Sequence, residues 1–294
     1  MEFFVMVCII LINYNGKVDT EECIKSIKKN QTDYKIIIVD NNSSNGKVEY
    51  NDVIDKKSCE IVYLDENIGF AAGNNIGIEC AQKYNPDYLL LLNNDTVVEA
   101  DFLNSIVAKS KEYNDNAVIT TKIVYYDDNE YLWYGGCKFD GSTGEYKILG
   151  IGEKDSDFYN VEKYVEYITG CVMLFPCKVL DIIGKMSEDY FLYYEDADYC
   201  ERIRRANVKM VYVPEITVYH KESRSTKKGS DIYQYYILRN YLMFIQRYSS
   251  DKTKYIIKKF FKSLKEVVRA RMNYTVWKKA WGDFVRGNIG KAFL

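Results

Sequence analysis

The sequence predicts an α/β fold in which a mostly parallel sheet is flanked by helices and followed by a C-terminal helical extension. Short apolar runs alternate with helical patterns along the first third of the chain, which is typical of βαβ units. Further along, apolar residues at helical spacing interleave with lysines and arginines up to the C-terminus. With 294 residues, 47% of them hydrophobic, the chain can bury the core of one large domain or two smaller ones.

The first half is predicted to be a nucleotide-binding unit built from alternating strands and helices. The predicted strands are 5–12, 35–39, 60–64 and 88–92, and the helices between them are 21–29, 46–56 and 71–84. Residues 1–12 lack the basic start and the cleavage site of a signal peptide, and they are too few to span a bilayer. They are therefore interpreted as the beginning of the sheet.

The second half is less regular and is predicted to contact an acceptor molecule. Its predicted helices are 101–113 and a helix that ends at 183, its strands are 118–125, 131–139, 165–168 and 171–175, and its loop or flap is 140–157. Pro176 suits the first turn of the second helix.

The domain boundary is predicted near residues 223–230, where small and basic residues precede helical sequence. This gives a catalytic domain, residues 1–225, with a nucleotide-binding half at 1–98 and an acceptor-binding half at 99–225. The remainder, residues 226–294, is predicted to be a basic amphipathic helical region.

The charge of the chain is distributed unevenly. Residues 252–294 hold twelve Lys or Arg and two acidic residues, a net charge of +10 in a chain whose overall charge is −2. Basic amphipathic helices with Trp and Phe commonly bind anionic membrane surfaces. In the alternative, the apolar stripe packs on the catalytic domain and the lysines form a solvated face.

The cysteines indicate a reducing compartment. Eight are present without a Cys-x-x-Cys spacing, mostly inside apolar runs, as is usual for buried free thiols. Together with the basic tail, this predicts a cytoplasmic protein that is peripheral on the inner face of the cell membrane.

Polar clusters end the first two predicted strands. Asn13, Tyr14 and Asn15 follow the first strand, and Asp40 to Asn42 follow the second. Because carboxyl ends of parallel strands meet at one edge of a sheet, these residues are expected to form a nucleoside pocket, with Asp40 accepting from a base N–H or a ribose hydroxyl. Turn chemistry explains either cluster taken alone.

A glycine-rich segment follows the third strand. Asn67 precedes Gly69, Gly73 and Gly77, whose spacing of four residues does not match a Gly-x-Gly-x-x-Gly fingerprint. The spacing indicates a smooth helix face that packs closely on another element. The N-terminus of the same helix is an alternative site for a phosphate.

Two segments supply candidate metal ligands. Asn93, Asn94 and Asp95 follow the apolar strand 88–92, and His220, the single histidine, ends an apolar run. An oxygen ligand at this sheet edge suits Mg²⁺ or Mn²⁺ with diphosphate and water completing the shell. Taken alone, the tripeptide is a turn and the histidine is structural. Basic residues follow the histidine at Lys221, Arg224, Lys227 and Lys228.

Glu195 and Asp196 form a second acidic cluster, directly after five apolar or aromatic residues. Helix capping, with Asp196 at the N-cap and Asp198 in the first turn, is one explanation. It does not account for an acidic pair in such apolar surroundings. Partial burial moves the pKa of a carboxylate toward neutrality, so Asp196 is a candidate general base.

These motifs together resemble family 2 glycosyltransferases, in particular the bacterial rhamnosyltransferase-like branch. The resemblance covers about residues 5–248. It is carried, in order, by Ile-Asn-Tyr-Asn at 12–15, Val-Asp-Asn-Asn-Ser-Ser at 39–44, Glu-Asn-Ile-Gly-Phe-Ala-Ala-Gly-Asn-Asn at 66–75, Leu-Asn-Asn-Asp at 92–95, Thr169-Gly170, Tyr-Tyr-Glu-Asp-Ala-Asp at 193–198 and Arg239-Asn240.

The resemblance implies a GT-A fold and a transfer that inverts the anomeric carbon. It implies that Asp196 is the base and that Asp95 holds the metal, with His220 beside it. The implied donor-binding or acceptor-facing residues are Asn13, Tyr14, Asn15, Asp40, Asn42, Asn67, Gly73, Asn94, Thr169, Gly170 and Glu195. Asn93 departs from the family pattern, because many relatives carry Asp there.

The predicted function is therefore metal-dependent transfer of a sugar from a nucleotide-diphosphate donor, dTDP-rhamnose or a UDP-sugar, to a hydroxyl of a glycan or lipid-linked acceptor. A sugar nucleotidyltransferase would carry a Gly- and Arg-rich phosphate loop, which residues 13–17 are not. A nucleic-acid-binding module would leave the acidic clusters unexplained, so no nucleic-acid partner is expected. A non-catalytic scaffold would lack the combination of Asp95, Asp196 and His220.

Overall fold

A ten-stranded mixed sheet with helices on both faces forms the core of the protein. A computed structural model describes residues 5–222 and 229–292, and within these ranges the sheet is accompanied by a two-stranded hairpin and eight α-helices. The strands are β1 Met6–Asn13, β2 Asp33–Asp40, β3 Cys59–Tyr63, β4 Tyr88–Leu92, β5 Thr96–Val98, β6 Ala117–Tyr125, β7 Leu132–Tyr134, β8 Cys137–Asp140, β9 Glu145–Ile148, β10 Lys163–Tyr164, β11 Val172–Pro176 and β12 Lys209–His220. The helices are α1 Lys17–Ile27, α2 Phe70–Ala81, α3 Phe102–Glu112, α4 Cys177–Ile183, α5 Glu195–Arg205, α6 Asp231–Tyr248, α7 Lys252–Val268 and α8 Tyr274–Arg286.

The strand order brings the predicted polar clusters to one edge. The main path runs β10-β12-β6-β11-β4-β1-β2-β3, and β3, β2, β1 and β4 are parallel to one another. β11 is antiparallel to both β4 and β6. Asn13 and Asp40 are register partners at the ends of β1 and β2. The predicted mostly parallel α/β sheet is therefore confirmed.

The glycine spacing on α2 reflects close packing on β1. A Cβ at Gly77 would lie 2.4 Å from Cγ2 of Ile10, and a Cβ at Gly73 would lie 3.3 Å from Cδ1 of Ile12. A larger residue would push the helix off the sheet. The close-packing interpretation is thus confirmed, and Gly73 faces the strand.

Four predictions for secondary structure are wrong, wholly or in part. Residues 46–56 form a loop rather than a helix, and residues 165–168 are irregular rather than a strand. The predicted strand 131–139 breaks at Gly135 and Gly136, where φ at Gly136 is 102°. The predicted loop 140–157 contains β9, which pairs with β8 to form the hairpin.

The C-terminal helices pack against the catalytic core and are not a separate body. A second hydrophobic cluster joins Ala197 of α5 to α6, α7 and α8. It shows that part of the tail's apolar surface is buried, as the packing alternative predicts. The boundary at 225–226 and the basic residues Arg224, Lys227 and Lys228 lie outside the described residues.

Two observations bear on the predicted reducing compartment and the predicted location at the membrane. All eight cysteines lie in the described ranges and are free, and five of them are fully buried. None of the helices in these ranges is both long and apolar enough to cross a bilayer.

Candidate active site

Asn13 and Asp40 form a buried hydrogen-bond network at the ends of β1 and β2. Asn13 Nδ2 donates to Asp40 Oδ2 at 2.7 Å, and Asp40 also accepts from the backbone N–H groups of Ser43 and Val48. Asp40 is 1% exposed and Asn13 is fully buried. Both side chains therefore hold the two loops together, and the loop after β2 is tied down instead of forming the predicted helix.

More exposed residues form the rim around this network. Tyr14 and Asn15 are exposed after β1, and Asn42 is exposed after β2. Asn15 Oδ1 accepts from the backbone N–H of Asn45, which fastens one loop to the other. Asn67 is half-buried and stabilises the turn before α2 by accepting from the N–H of Gly69 at 3.0 Å. These residues lie in the loops that follow the carboxyl ends of β1, β2 and β3.

Asn94 joins the turn after β4 to the first turn of α1. Its Nδ2 donates to Thr20 Oγ1 at 2.8 Å, and that hydroxyl donates in turn to Asn13 Oδ1 at 2.9 Å. A Cβ at Gly16 would lie 2.9 Å from the same amide nitrogen. The turn after β4 and the loops after β1 and β2 are thereby parts of one connected edge.

Asp95 and His220 meet although 125 positions separate them. His220 Nε2 lies 3.1 Å from Asp95 Oδ1, and both side chains are buried. β5 and β12 set this contact, because His220 is the register partner of Thr96. Trp133 packs edge-on against the imidazole, with ring centroids 4.5 Å apart.

The pair suits a cation that takes most of its ligands from elsewhere. No three His, Cys, Asp or Glu side chains within 5–222 and 229–292 group closely enough to hold a metal by themselves. Mg²⁺ and similar ions often bind through one or two protein ligands plus phosphate and water. His220 directs Nε2 at the Asp95 carboxylate, and its other ring nitrogen, Nδ1, is buried without a hydrogen-bond partner among the described residues. The residues therefore fit such a site.

Lys221 does not extend toward this pair. Its ammonium donates to Asp19 and Glu22 of α1 at 2.9 and 2.6 Å. It is consequently neutralised by α1 and is not a candidate for binding diphosphate.

The Asp196 carboxylate is fixed by three donors. Oδ2 accepts from the Tyr167 hydroxyl at 2.6 Å and from the Gly170 N–H at 3.2 Å, and Oδ1 accepts from the Ala197 N–H at 2.8 Å. Burial raises the pKa of Asp196, while the hydrogen bond from Tyr167 opposes that rise. A fixed carboxylate with a raised pKa suits proton abstraction near neutral pH.

Glu195 is buried beside Asp196 with an oxygen left unpaired. Its Oε2 has no hydrogen-bond partner in the described part of the chain. Burial, and secondly the charge of Asp196, raise the pKa of Glu195 well above its usual value. α5 begins at Glu195 with Tyr194 at the N-cap position, so the capping explanation for Asp196 is wrong.

A short backbone path connects the two acidic clusters. Gly170 donates to Asp196, and the carbonyl of the next residue, Cys171, accepts from the N–H of Asn93 at 2.9 Å. Asn93 opens the turn that carries Asp95. Backbone contacts at the carboxyl end of β4 therefore link the turn that carries Asp95 to the segment that binds the Asp196 carboxylate. Thr169 adjoins this path, because its Oγ1 accepts from the N–H of Cys171.

This arrangement agrees with a family assignment. The model for the family described as "Glycosyl transferase family 2" matches residues 8–176. The chain belongs to glycosyl transferase family 2. It is accordingly a glycosyltransferase, and the match runs from within β1 to the end of β11, so it includes the loops after β1 and β2 and the turn after β4.

Named relatives of this glycosyltransferase act on sugars. It is 27% identical over 233 residues to rhamnosyltransferase WbbL of Escherichia coli, covering 73% of this chain and 83% of that protein. It is 26% identical to the low-salt glycan biosynthesis hexosyltransferase Agl10 of Haloferax volcanii, covering 78% and 71%. It is 21% identical to dTDP-rhamnosyl transferase RfbF of Shigella flexneri, covering 81% and 79%.

Solved structures show the same GT-A fold. GalNAc-T7 with UDP, GalNAc and Mn²⁺ superposes with a TM-score of 0.65 at 15% identity, over 97% of this glycosyltransferase and 55% of that chain. TarS 1–349 of S. aureus with UDP-GlcNAc gives 0.60 at 15% identity, over 96% and 81%. This glycosyltransferase thus spans about half the length of the GalNAc-T7 chain.

A cavity of about 440 Å³ opens beside Asp196 in the glycosyltransferase. Residues of the β8–β9 hairpin, the loop before α5 and α6 line it together with Glu195 and Asp196. Tyr146 of the hairpin stacks on Tyr167 with centroids 5.4 Å apart and planes 11° apart. Aromatic faces beside carboxylates are typical of a pocket with a few placed polar groups.

Sequence reasoning missed three residues of this site. Tyr167 binds Asp196, Tyr146 walls the cavity, and Glu145 accepts from the Tyr194 hydroxyl at 2.9 Å. The loop between β8 and β9 has four residues, Gly141 to Gly144, and a short loop that contains glycine is a hairpin signal. That loop length would have placed Glu145 and Tyr146 opposite β8.

Proposed function

We propose that this family 2 glycosyltransferase catalyses inverting transfer of a sugar from a nucleotide-diphosphate donor to an acceptor hydroxyl, with Asp196 as the general base. One observation carries the proposal. Asp196 lines the cavity and is linked through Gly170 and Cys171 to the turn that carries Asp95. A base on one side and a diphosphate site on the other is the arrangement that direct displacement requires.

The donor is proposed to lie over the carboxyl ends of β1, β2 and β4. The exposed side chains of Tyr14, Asn15 and Asn42 would contact the nucleoside, and Asp40 would act chiefly through the loops it fastens. Asp95 and His220 would hold a divalent cation. When bound, such an ion neutralises charge that develops on the leaving diphosphate. GalNAc-T7 was solved with Mn²⁺, which supports Mn²⁺ or Mg²⁺ here.

Asp196 is proposed to take the proton of the acceptor hydroxyl as that oxygen attacks C1 of the donor sugar. The three donors to Asp196 prevent it from rotating away from the cavity. Inversion needs one carboxylate base and no enzyme nucleophile. Glu195, whose Oε2 has no hydrogen-bond partner among the described residues, is proposed to accept a hydrogen bond from a second acceptor hydroxyl.

The relatives favour a deoxysugar donor. WbbL is named a rhamnosyltransferase and RfbF a dTDP-rhamnosyl transferase. We therefore propose dTDP-rhamnose as the first donor to test, with UDP-sugars as the alternative. The acceptor is proposed to be a glycan or a lipid-linked saccharide.

The exposed face of α7 is apolar and flanked by lysines, which favours a lipid-linked acceptor. Ile257, Phe261 and Val268 are 53%, 65% and 80% exposed, and their spacing of four and seven places them on one face. The exposed flanking cations on this helix are Lys254, Lys262 and Lys265. An anionic bilayer complements such a surface. We propose peripheral attachment to the cytoplasmic face of the membrane.

The inner face of α7 reaches the cavity wall. The Tyr255 hydroxyl donates to the carbonyl of Gly141 at 2.7 Å, and Lys258 donates to that of Ser142 at 2.8 Å, both in the turn of the β8–β9 hairpin. Lys259 pairs with Glu145 at 3.3 Å. Membrane contact through α7 would thus bring a lipid-linked acceptor directly beside the cavity.

A donor panel tests the proposed function. Thermal unfolding of the full chain is followed with dTDP-rhamnose, UDP-sugars and GDP-mannose, each with and without Mn²⁺, and nucleotide release is measured with a lipid-linked saccharide. One donor is expected to raise the melting temperature in proportion to the logarithm of its concentration. Absence of stabilisation and of release with every donor would contradict the proposal.

A further inference from the structure

The two residues before Glu195 adopt a conformation that is unusual for bulky side chains. Tyr193 and Tyr194 have φ angles of 66° and 73°, in the left-handed region. Consecutive non-glycine residues in this region persist only when surrounding contacts hold them, and such strain is often found at functional sites. This turn directs the chain into α5, so it sets where Glu195 and Asp196 project.

The side chain of Asn240 on α6 engages this turn. Its Nδ2 donates to the carbonyls of Leu192 and Tyr193 at 2.9 and 2.8 Å, and the residue is fully buried. Both N–H bonds of the amide are used. Other contacts anchor the loop earlier, at Phe191 and Asp189, where backbone N–H groups from α2 and from the C-terminal segment donate to their carbonyls.

Arg239 orients the Asn240 amide. Its Nε donates to Asn240 Oδ1 at 2.9 Å. An arginine can only donate and a carbonyl can only accept, so a single orientation of the amide satisfies all three hydrogen bonds. The hydrogen bonds therefore run in one direction, from the Arg239 guanidinium to the Asn240 amide and from that amide to the carbonyls of Leu192 and Tyr193.

The surroundings of Arg239 show that it is not placed to form an ordinary ion pair. It is fully buried, and its guanidinium lies 5.2 and 5.1 Å from the ring centroids of Tyr235 and Tyr236. No carboxylate within the described ranges forms a salt bridge with it. Burying a cation without an anion is costly, and the guanidinium is compensated by its hydrogen bonds to Asn240 Oδ1 at 2.9 Å and to the Tyr235 hydroxyl at 3.3 Å.

We infer that Asn240, oriented by Arg239, is a positioning residue that holds the left-handed Tyr193–Tyr194 turn and thereby aims the Asp196 carboxylate into the cavity. The inference rests on the proposed role of Asp196 as the base. Arg239 and Asn240 belong to the ordered motif set of the sequence, but the reaction gives them no chemical part. A positioning role explains why two buried polar residues stand together on α6.

The test compares Asn240→Ala, Asn240→Asp, Arg239→Gln and Asp196→Asn in the full-length chain. Displacement of a reacting group by about 1 Å costs ~10²-fold in turnover. Both Asn240 variants are expected to lose ~10²-fold in kcat, while donor Kd and donor KM stay near the parent values. Arg239→Gln is expected to show a smaller loss of the same kind.

A matched control separates positioning from general stability. Asn30 is also a buried amide whose side chain bonds to backbone groups, accepting from the N–H of Leu103 and donating to the carbonyl of Ile27. It joins α1 to α3, away from Asp196. Asn30→Ala is expected to lower the melting temperature as Asn240→Ala does, with kcat per folded molecule unchanged. A parallel loss of kcat in Asn30→Ala would overturn the inference.

Rescue by glycine keeps the inference testable if Asn240→Ala is poorly folded. Glycine adopts positive φ without steric cost, so Tyr193→Gly reduces the need for Asn240. The fold-loss caused by Asn240→Ala is expected to be smaller in the Tyr193→Gly background than in the parent. An equal loss in both backgrounds would overturn the positioning role.

The outcomes distinguish this inference from the proposed function. If Asp196→Asn is inactive while both Asn240 variants turn over normally, only the positioning role is wrong. If Asp196→Asn turns over normally, the base is wrong and the inference is wrong with it. Loss of donor affinity in the Asn240 variants, in proportion to the loss of kcat, would also contradict positioning of the base.

Discussion

The hydroxyl of Tyr167 donates a 2.6 Å hydrogen bond to Oδ2 of Asp196. It is the shortest of the three hydrogen bonds on that carboxylate, and it acts against the effect of burial on the pKa of Asp196. The ring of Tyr146 stacks on a face of the Tyr167 ring. The cavity wall therefore helps to set both the position and the basicity of Asp196.

Replacing Tyr167 with Phe is expected to move the acid limb of the pH profile. Loss of a donor to the ionised form raises the pKa of Asp196 further, so the base is protonated over a wider range. On the acidic side kcat is expected to fall roughly tenfold, which corresponds to one hydrogen bond to a charged group. The measurement is kcat against pH.

Tyr146→Phe is the matched control for that change. The substitution keeps the ring that stacks on Tyr167, and Tyr146 is not one of the three donors to Asp196, so the acid limb of the pH profile should stay in place. An unshifted limb in Tyr167→Phe would show that this hydrogen bond does not tune the base.

Glu195→Gln is expected to stabilise the protein increasingly as pH rises. The pKa of Glu195 is raised in the folded state, so its contribution to stability is present below the pKa of the unfolded chain and is lost as pH rises through the folded pKa. Glutamine does not ionise, so the variant does not lose stability in this way as pH rises. The melting temperature of the variant should exceed the parent's by a few degrees at neutral pH, and by less near pH 4, approximately the unfolded pKa.

Glu201 on the same helix provides the opposite control. Burial alone would raise the pKa of Glu201, but hydrogen bonds from Arg204 and Arg205 lower it overall. Its contribution to stability is present above the unfolded pKa and is lost as pH falls through the folded pKa. Glu201→Gln should therefore destabilise at neutral pH. The same sign for both variants would contradict these assignments.

Asp95→Asn is expected to abolish the response to divalent cations. The amide retains the shape of the side chain but removes the charge that would bind the ion. Mn²⁺ is expected to raise the melting temperature of the parent in the presence of donor, and to leave that of Asp95→Asn unchanged. Asp101→Asn, an exposed position at the start of α3, is the control. A Mn²⁺ response preserved in Asp95→Asn would remove Asp95 from the site.

Serine at Ile257, Phe261 and Val268 together is expected to weaken binding to anionic vesicles. Each side chain is exposed, so the fold should be little affected, while lost apolar burial in the bilayer should reduce binding tenfold or more, approximately the value of one buried side chain. Flotation with phosphatidylglycerol vesicles measures this. Ile182→Ser, 65% exposed on α4, is the control. Equal flotation of the triple variant and the parent would exclude this face as the attachment site.

The strands of the predicted nucleotide-binding half could be predicted because strands buried on both faces of a sheet are nearly continuous runs of apolar residues in the sequence. β1, β2 and β4 are runs of apolar residues that end in polar ones, and the predicted bounds differ from the observed ones by at most two residues. The proximity of Asp95 and His220 was implied by the resemblance to family 2 glycosyltransferases. The sequence pattern predicts no strand at β5, the strand whose antiparallel pairing with β12 sets the contact.

The errors arise where tertiary contacts override local preference. Residues 46–56 have a helical pattern, but Val48 is bound to Asp40, and Asn51 Oδ1 accepts from the N–H groups of Val53 and Ile54. In the predicted strand 165–168, the N–H of Tyr167 and that of Ile168 approach the thiols of Cys137 and Cys200. Contacts of this kind cannot be inferred from local sequence.

The role of Asp196 as the base is tested most directly by the turnover and donor affinity of Asp196→Asn. The variant keeps the size of the side chain and loses the ability to take a proton. We predict a fall in kcat of ~10²- to 10⁴-fold, the usual contribution of general-base catalysis, with donor Kd by calorimetry close to the parent value. Turnover near the parent level would contradict it.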